Sequence, residues 1–178
     1  MAVEAAISEA LGQSIGSLEP LTGGASYGSY RITTSSGRRL HARLAGDDEH
    51  GDAALNRVGL AVEAEMLRRA GQCGVPVADV VAFVVEPEIL ITEWLEGESL
   101  GGRIARRASF EMARSVFAGQ CGAALGRIHS IDVDGLRLQT QTPADFVAST
   151  YQRYRELGVV RPMLDGVARC LLDAAPDP

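Results

Sequence analysis

The chain has 178 residues, a formal net charge of −6 and 46% hydrophobic residues, and all 17 of its basic residues are arginine. This length fits one domain, or two small lobes, with a buried core. The negative charge argues against a nucleic-acid-binding protein, because such proteins neutralise phosphates with a basic surface. The 3 cysteines are far apart, which is typical of a reducing cytoplasm rather than of disulfides or a zinc site. No signal peptide or membrane-spanning apolar run is visible, so we expect a cytoplasmic protein with no membrane partner.

The first part of the chain alternates between helical and extended patterns. Apolar residues at helical spacing predict a helix over residues 3–11 that stops at Gly12. Three short extended segments follow, and their short turns predict an antiparallel meander; they cover residues 18–21, 30–34 and 40–44. In the third segment, His41 and Arg43 alternate with apolar residues, so both lie on one face of the strand. Residues 46–56 are acidic and aperiodic, which predicts a mobile loop, and residues 58–70 have helical spacing.

A central hairpin joins this part to a helical one. Two apolar, β-branched runs at residues 80–85 and 89–94 are separated by Glu86, Pro87 and Glu88. This pattern predicts a strand, a tight turn and a second strand. The second strand leads directly into a polar segment that starts a helical region. A connector of this kind leaves backbone polar groups unpaired, which favours a ligand site.

Everything after the connector has helical spacing. Ser109 is predicted to cap a long helix with an apolar stripe that ends near Ile128. Thr142, Pro143 and Asp145 are typical of a helix start, with a capping hydroxyl, a proline in the first turn and an acid three residues after the cap. A last helix is expected over residues 162–174.

Five segments, in this order and at this spacing, resemble the aminoglycoside/choline-kinase-like phosphotransferases, nearest the branch associated with acyl-CoA dehydrogenases. They read LTGGASYGSYRI, LHARLAG, AVEAEMLRRAGQCGVPV, ILITEWLEGESL and CGAALGRIHSIDVDGL. The resemblance implies an α+β, protein-kinase-like fold with a five-stranded antiparallel N-lobe and one main helix. It divides the chain into a nucleotide-binding N-lobe (1–94), a hinge (95–99) and the start of a helical C-lobe (100–178) that lacks the catalytic loop.

The resemblance also implies a set of nucleotide-binding residues. Gly23 and Gly24 would let the first hairpin loop approach phosphates through its backbone N–H groups; the alternative is an ordinary hairpin turn. Arg43 matches the family's phosphate-contacting cation, and Glu63 matches the helix glutamate that orients it. The alternative here is an exposed strand arginine and a solvated helix glutamate.

The hinge supplies the remaining matches. Glu93, Trp94 and Leu95 correspond to the segment that binds adenine through its backbone, although Trp94 is also expected to serve as packing. His129 at the end of a helix is interpreted as structural rather than catalytic. The implied cofactors are ATP and Mg²⁺, with the metal ligands expected beyond this chain.

Two segments mimic catalytic motifs of the family. His50, Gly51 and Asp52 are followed by Asn56 after three intervening residues, where the family has four. The segment also lies between the third strand and the helix, so we interpret it as non-catalytic. The Asp132–Asp134 pair resembles a metal-binding Asp-x-Asp, and we interpret it as a chance match. The family's catalytic loop is expected to follow a proline-rich segment, which residues 175–178 resemble.

The expected function is therefore ATP-dependent phosphoryl transfer to a hydroxyl of an unidentified small molecule, represented by the ATP-binding lobe and hinge. The alternative is a non-catalytic nucleotide-binding or protein-interaction module. The apolar stripes of the helices, without an evident partner layer, predict a homodimer through exposed helical faces.

Overall fold

A computed structural model of the chain describes residues 2–21, 27–45, 59–138 and 141–176. Five strands form one antiparallel sheet in the order β1-β2-β3-β5-β4. The strands are β1 Ile15–Pro20, β2 Gly28–Thr34, β3 Arg39–Leu44, β4 Val80–Val84 and β5 Ile89–Glu93. The meander and the central hairpin predicted from the sequence are thus both present, and the hairpin adds to β3 through its second strand.

The described ranges also contain six α-helices. They are α1 Ala2–Leu11, α2 Leu60–Gln72, α3 Gly101–Arg106, α4 Glu111–Ile128, α5 Pro143–Glu156 and α6 Pro162–Asp173. Gly12 follows α1 with φ of 64°, a left-handed conformation that glycine adopts without strain and that ends the helix.

Helices α1 and α2 pack on opposite faces of the sheet. The α1 cluster contains apolar side chains from alternate positions of β2, β3 and β5, all fully buried together with Ile7 of α1; the strand residues are Ile32, Leu40, Ala42, Ile89 and Ile91. The α2 cluster contains Leu60 and Ala64 of the helix and Leu90 of β5. Because strand side chains alternate between faces, the residues between those of the α1 cluster lie on the side where α2 packs, here named the α2 face.

The chain separates into two compact units, residues 1–137 and residues 138–178. The second unit is a pair of helices, α5 and α6. Thr142 and Asp145 form a capping box at the start of α5, as their sequence predicted. The Tyr151 hydroxyl of α5 donates to Asp165 of α6 at 2.8 Å, and this bond raises the pKa of Tyr151.

One helix start differs from the sequence prediction. Ser109 does not cap the long helix, because it lies inside a 3₁₀ turn over Ala108–Phe110, and Phe110 is the residue before α4. A separate short helix, α3, precedes that turn and begins directly after the polar segment that was predicted to start a helical region. The loop predicted at residues 46–56 lies outside the described residues.

Candidate functional site

A row of polar side chains crosses the α2 face in cross-strand register. Glu19 of β1 pairs with Arg31 of β2, Arg31 pairs with His41 of β3, and His41 pairs with Thr92 of β5. Neighbouring strands are about 4.8 Å apart, so the row extends over four strands and about 14 Å. Of the four residues in this row, the sequence analysis identified only His41 as a polar residue on one face of its strand. The alternation of side chains along β2 is the signal that could have identified Arg31 in the same way.

Arg43 lies two residues beyond His41 on the same face. Its guanidinium forms an ion pair and hydrogen bond with the Glu63 carboxylate of α2. The two side chains are 29% and 25% exposed, so the pair is partly shielded from water yet still accessible. The guanidinium carbon of Arg43 also lies 4.8 Å from the centre of the Tyr27 ring, within the range of a cation–π contact. The contacts with Glu63 and Tyr27 thereby fix the direction in which the Arg43 side chain points.

The local fold explains why Arg43 and Glu63 meet. Arg43 pairs in register with Leu90, and Leu90 is buried against Leu60 and Ala64 of α2. Glu63 precedes Ala64 in that helix, so the apolar contact that seats α2 on the sheet also brings Glu63 to Arg43.

The residues matched to the hinge follow β5. Glu93 ends the strand, its backbone N–H donates to Asp79 at 3.0 Å, and its carboxylate accepts from Arg38 at 3.2 Å. Trp94 is half-buried, and its indole N–H donates to Glu96 at 3.0 Å. Leu95 is 64% exposed.

Two further contacts connect this segment to the sheet. Arg39 of β3 forms a 2.6 Å ion pair with Glu96. The guanidinium of Arg31 lies 5.9 Å from the centre of the Trp94 ring. One face of the Trp94 indole therefore contacts a cation of the polar row.

Arg31 is held on its other side by Glu19, at 2.5 Å. This hydrogen bond lowers the pKa of the Glu19 carboxyl, with a further contribution from the Ser17 hydroxyl. Nε of Arg31 is buried and has no hydrogen-bond partner among the described residues.

His41 is half-buried at the middle of the row. Burial lowers its pKa, and the positive charge of Arg43 lowers it further. The imidazole is therefore neutral at neutral pH. Within the described ranges, the His41 side chain forms no hydrogen bond or ion pair.

The remaining predicted residues lie elsewhere. Gly23, Gly24 and the segment 50–56 fall outside the described residues. The Asp132–Asp134 segment is tied to α2, because Arg69 donates to the backbone carbonyls of both aspartates at 2.8 and 3.0 Å. His129 is the exposed C-cap of α4, and its backbone N–H bonds to Leu125.

Comparison with known proteins gives a direct answer on family. The model of the phosphotransferase enzyme family matches residues 17–177. The chain belongs to this family. The acyl-CoA dehydrogenase branch stays a prediction. No curated protein sequence matches this family member significantly.

Solved structures resemble the chain over nearly its whole length. A structure described as a fructosamine-3-kinase from Thermobifida fusca has 18% identity and a TM-score of 0.58, covering 99% of this chain and 64% of its own. A macrolide 2'-phosphotransferase from Brachybacterium faecium has 19% identity and a TM-score of 0.59, covering 98% and 61%. A type I macrolide 2'-phosphotransferase has 21% identity and a TM-score of 0.60, covering 99% and 60%.

These likenesses confirm the kinase-like α+β fold predicted from the sequence. This phosphotransferase-family chain spans 60–64% of the length of the three structures. None of the helices in the described ranges is long and apolar enough to cross a membrane.

A metal ion such as Mg²⁺ needs several ligating side chains close together. Among the described residues, no three His, Cys, Asp or Glu side chains come together in a group suited to a metal. Mg²⁺ prefers several carboxylate or phosphate oxygens in octahedral geometry. The described residues of this family member thus do not fit a protein-held Mg²⁺.

Proposed function

We propose that the chain is the nucleotide-binding part of an ATP-dependent phosphotransferase that acts on a hydroxyl of a small molecule. The observation that carries the proposal is the Arg43–Glu63 ion pair on the α2 face. A cation oriented by a helix carboxylate is the arrangement by which kinase-like proteins hold nucleotide phosphates.

The roles of the site residues follow from this placement. Arg43 donates to phosphate oxygens, and a guanidinium suits this task because it offers several donors in one plane. Glu63 keeps the guanidinium on the α2 face. Backbone groups of Glu93, Trp94 and Leu95 bind the edge of the adenine, and Gly23 and Gly24 contribute backbone N–H groups to the phosphates.

The division of the chain into lobes belongs to the same proposal. Residues 1–94 form the nucleotide-binding N-lobe, residues 95–99 the hinge and residues 100–178 the beginning of a helical C-lobe. The names of the structural neighbours, which refer to macrolides and fructosamine, support a small-molecule acceptor. Mg²⁺ would accompany ATP, held chiefly by ligands that the described residues do not supply. We place the protein in the cytoplasm.

A second candidate function is a nucleotide-binding or interaction module without catalysis. It is favoured by the observation that the Asp132–Asp134 segment, which mimics a metal motif, is engaged with Arg69 as part of the fold. The coding DNA beyond the Pro178 codon separates the two candidates, since the enzyme needs a His-Gly-Asp with a following asparagine at the family spacing.

A direct experiment is a labelled-ATP transfer assay of the chain against a panel of hydroxylated small molecules. We expect no turnover from residues 1–178 alone, because the described residues supply neither a credible base nor metal ligands. Asp52→Asn is the matched control. Turnover abolished by Asp52→Asn would show that segment 50–56 is catalytic, and turnover that survives it would place the base elsewhere in the chain. Restored turnover on addition of a downstream polypeptide would support the enzyme over the binding module.

A further inference from the structure

Arg69 connects the C-terminal part of α2 to the segment that follows α4. Its Nη1 donates to the backbone carbonyls of Asp132 and Asp134 at 2.8 and 3.0 Å, across 63 and 65 positions of sequence. Its Nε donates to the Glu65 carboxylate, one turn earlier in the same helix, at 2.9 Å. The Arg69 side chain is 25% exposed, so these bonds are partly shielded from water. Two of them join elements that are distant in sequence.

Other contacts hold the same end of α2. Ile131 is buried against Ala70, near the end of α2, and against Val75, shortly after it. Arg127 of α4 donates to the Gly74 carbonyl at 2.9 Å. The C-terminal end of α2 is thus attached to the end of α4 by apolar packing and by side-chain hydrogen bonds from each of the two helices.

The opposite end of α2 carries Glu63, the partner of Arg43. Glu63 and Arg69 are six positions apart, which separates them by about 9 Å along the helix and by about 120° around it. A helix is held together by its own backbone hydrogen bonds and therefore moves as a unit. A contact on a second side, at the far end, resists rotation of α2 about its axis. Such a rotation would carry the Glu63 carboxylate away from Arg43.

The segment after α4 is shaped to receive Arg69. The Asp132 carboxylate accepts from the backbone N–H of Asp134 at 2.9 Å, and this local turn presents both carbonyls to one guanidinium nitrogen. The bonds from Arg69 go to backbone oxygens, so a lysine at the same position retains a donor for them, whereas alanine does not.

We propose that Arg69 is a positioning residue of the nucleotide site. By binding the carbonyls of residues 132 and 134, Arg69 fixes the rotation of α2, and Glu63 is thereby kept against Arg43. This inference rests on the proposed function and deepens it, because it adds a residue that acts on the phosphate-binding arginine through another side chain. It also gives the Asp132–Asp134 segment a supporting role in the site.

The first measurement is the coupling between Arg43 and Glu63, which needs no ligand. The double-mutant cycle of Arg43→Gln and Glu63→Gln is followed by urea unfolding in the wild-type chain and again with Arg69→Ala present. We expect Arg69→Ala to reduce the coupling by at least about half. Arg68→Ala is the matched control, because it removes the same charge from the neighbouring position of α2. It should leave the coupling at its wild-type value.

The second measurement is ATP affinity, obtained by isothermal titration of the full chain with Mg²⁺ at a temperature where each variant is folded. Arg69→Ala should weaken ATP binding by about three- to tenfold, and Arg69→Lys by less than about threefold. When Arg43→Ala is already present, Arg69→Ala should cause no further loss, because its effect passes through Arg43. A purely structural Arg69 would lower the unfolding temperature and leave ATP affinity unchanged.

Wild-type coupling between Arg43 and Glu63 in the Arg69→Ala chain would overturn the inference. So would wild-type ATP affinity in that variant, or an equal loss of affinity when Arg43→Ala is present. Should Arg69→Ala fail to fold, Arg69→Gln takes its place in both measurements. A wild-type chain that binds no ATP would refute the proposed function, and the coupling measurement would still decide whether Arg69 positions Glu63.

Discussion

Arg43 on β3 and Glu63 on α2 form an ion pair that links the sheet to the helix packed on it. The pair lies beside the buried contact of Leu90 with α2, so the position of the helix and the direction of the arginine depend on each other. The Glu63 carboxylate neutralises the Arg43 guanidinium on a face that also carries Arg31 and Arg39. The same pair therefore contributes to both fold and site.

The first prediction concerns the stability of this link. A double-mutant cycle of Arg43→Gln and Glu63→Gln should give a coupling energy of about 1 kcal/mol in urea unfolding, because the pair is partly shielded. The control is the pair of Arg68 and Glu65 on α2, 3.8 Å apart and more exposed, which should couple by no more than about 0.3 kcal/mol. Equal coupling in the two cycles would show that the Arg43–Glu63 contact adds no more stability than an exposed ion pair.

The sequence predicted the sheet well because its signals are local. Alternation in residues 40–44 placed His41 and Arg43 on one face, and the capping residues Thr142 and Asp145 marked the start of α5. The pairing of Arg43 with Glu63 was implied only by the resemblance to a family, since it joins residues 20 positions apart in sequence.

Other features were beyond a reading of local patterns. The row from Glu19 to Thr92 depends on the register of four strands, and register is set by how the strands pair rather than by any single segment. Ser109 has the right chemistry for a helix cap, but it lies inside a 3₁₀ turn, and α4 starts one position later than a cap at Ser109 predicts.

A second prediction follows from the lowered pKa of His41. In the unfolded chain a histidine titrates near about 6.5. As the pH falls through this value, the unfolded chain takes up a proton before the folded chain does, so stability is lost between pH 6.5 and the folded-state pKa. Burial is the larger cause, and the positive charge of Arg43 adds to it. The other charged groups around the imidazole are paired, Arg31 with Glu19 and Arg39 with Glu96, as Arg43 is with Glu63.

Urea unfolding at about pH 7.5 and pH 5.5 tests this expectation. His41→Gln should lose less stability than the wild type over this interval. His129→Gln, a change at an exposed helix end, should keep the wild-type dependence. If His41→Gln and the wild type had the same dependence, the lowered pKa of His41 would be refuted.

A third prediction concerns the capping box of α5. Thr142→Ala removes a hydroxyl that accepts from the Asp145 backbone N–H at 3.1 Å. We expect a loss of about 1 kcal/mol in local stability, seen as faster amide hydrogen exchange in the first turn of α5. Ser149→Ala is the control, because it removes a half-buried hydroxyl in the middle of the same helix that donates to the Phe146 carbonyl and has no capping role. Similar exchange in the two variants would argue against a capping role.

A fourth prediction concerns self-association. Helix α4, described along its whole length, buries none of its residues, and Phe117 and Leu125 are 62% and 52% exposed. Apolar surface of this kind favours association, so we propose a homodimer through the helical faces. Sedimentation should show a dimer or larger species that Phe117→Ser weakens, whereas Met163→Ser on α6 provides a more exposed apolar control. A monomer at high concentration would contradict the proposal.

The central claim is that Arg43 holds the phosphates of ATP, and isothermal titration of the full chain with ATP in the presence of Mg²⁺ tests it most directly. Arg43→Ala should weaken ATP binding by about 1–3 kcal/mol, or five- to 150-fold, the scale of a charge-assisted hydrogen bond. Arg68→Ala, which removes the same charge from the exposed side of α2, should bind ATP like the wild type. Unchanged affinity in Arg43→Ala would remove Arg43 from the site and contradict the account.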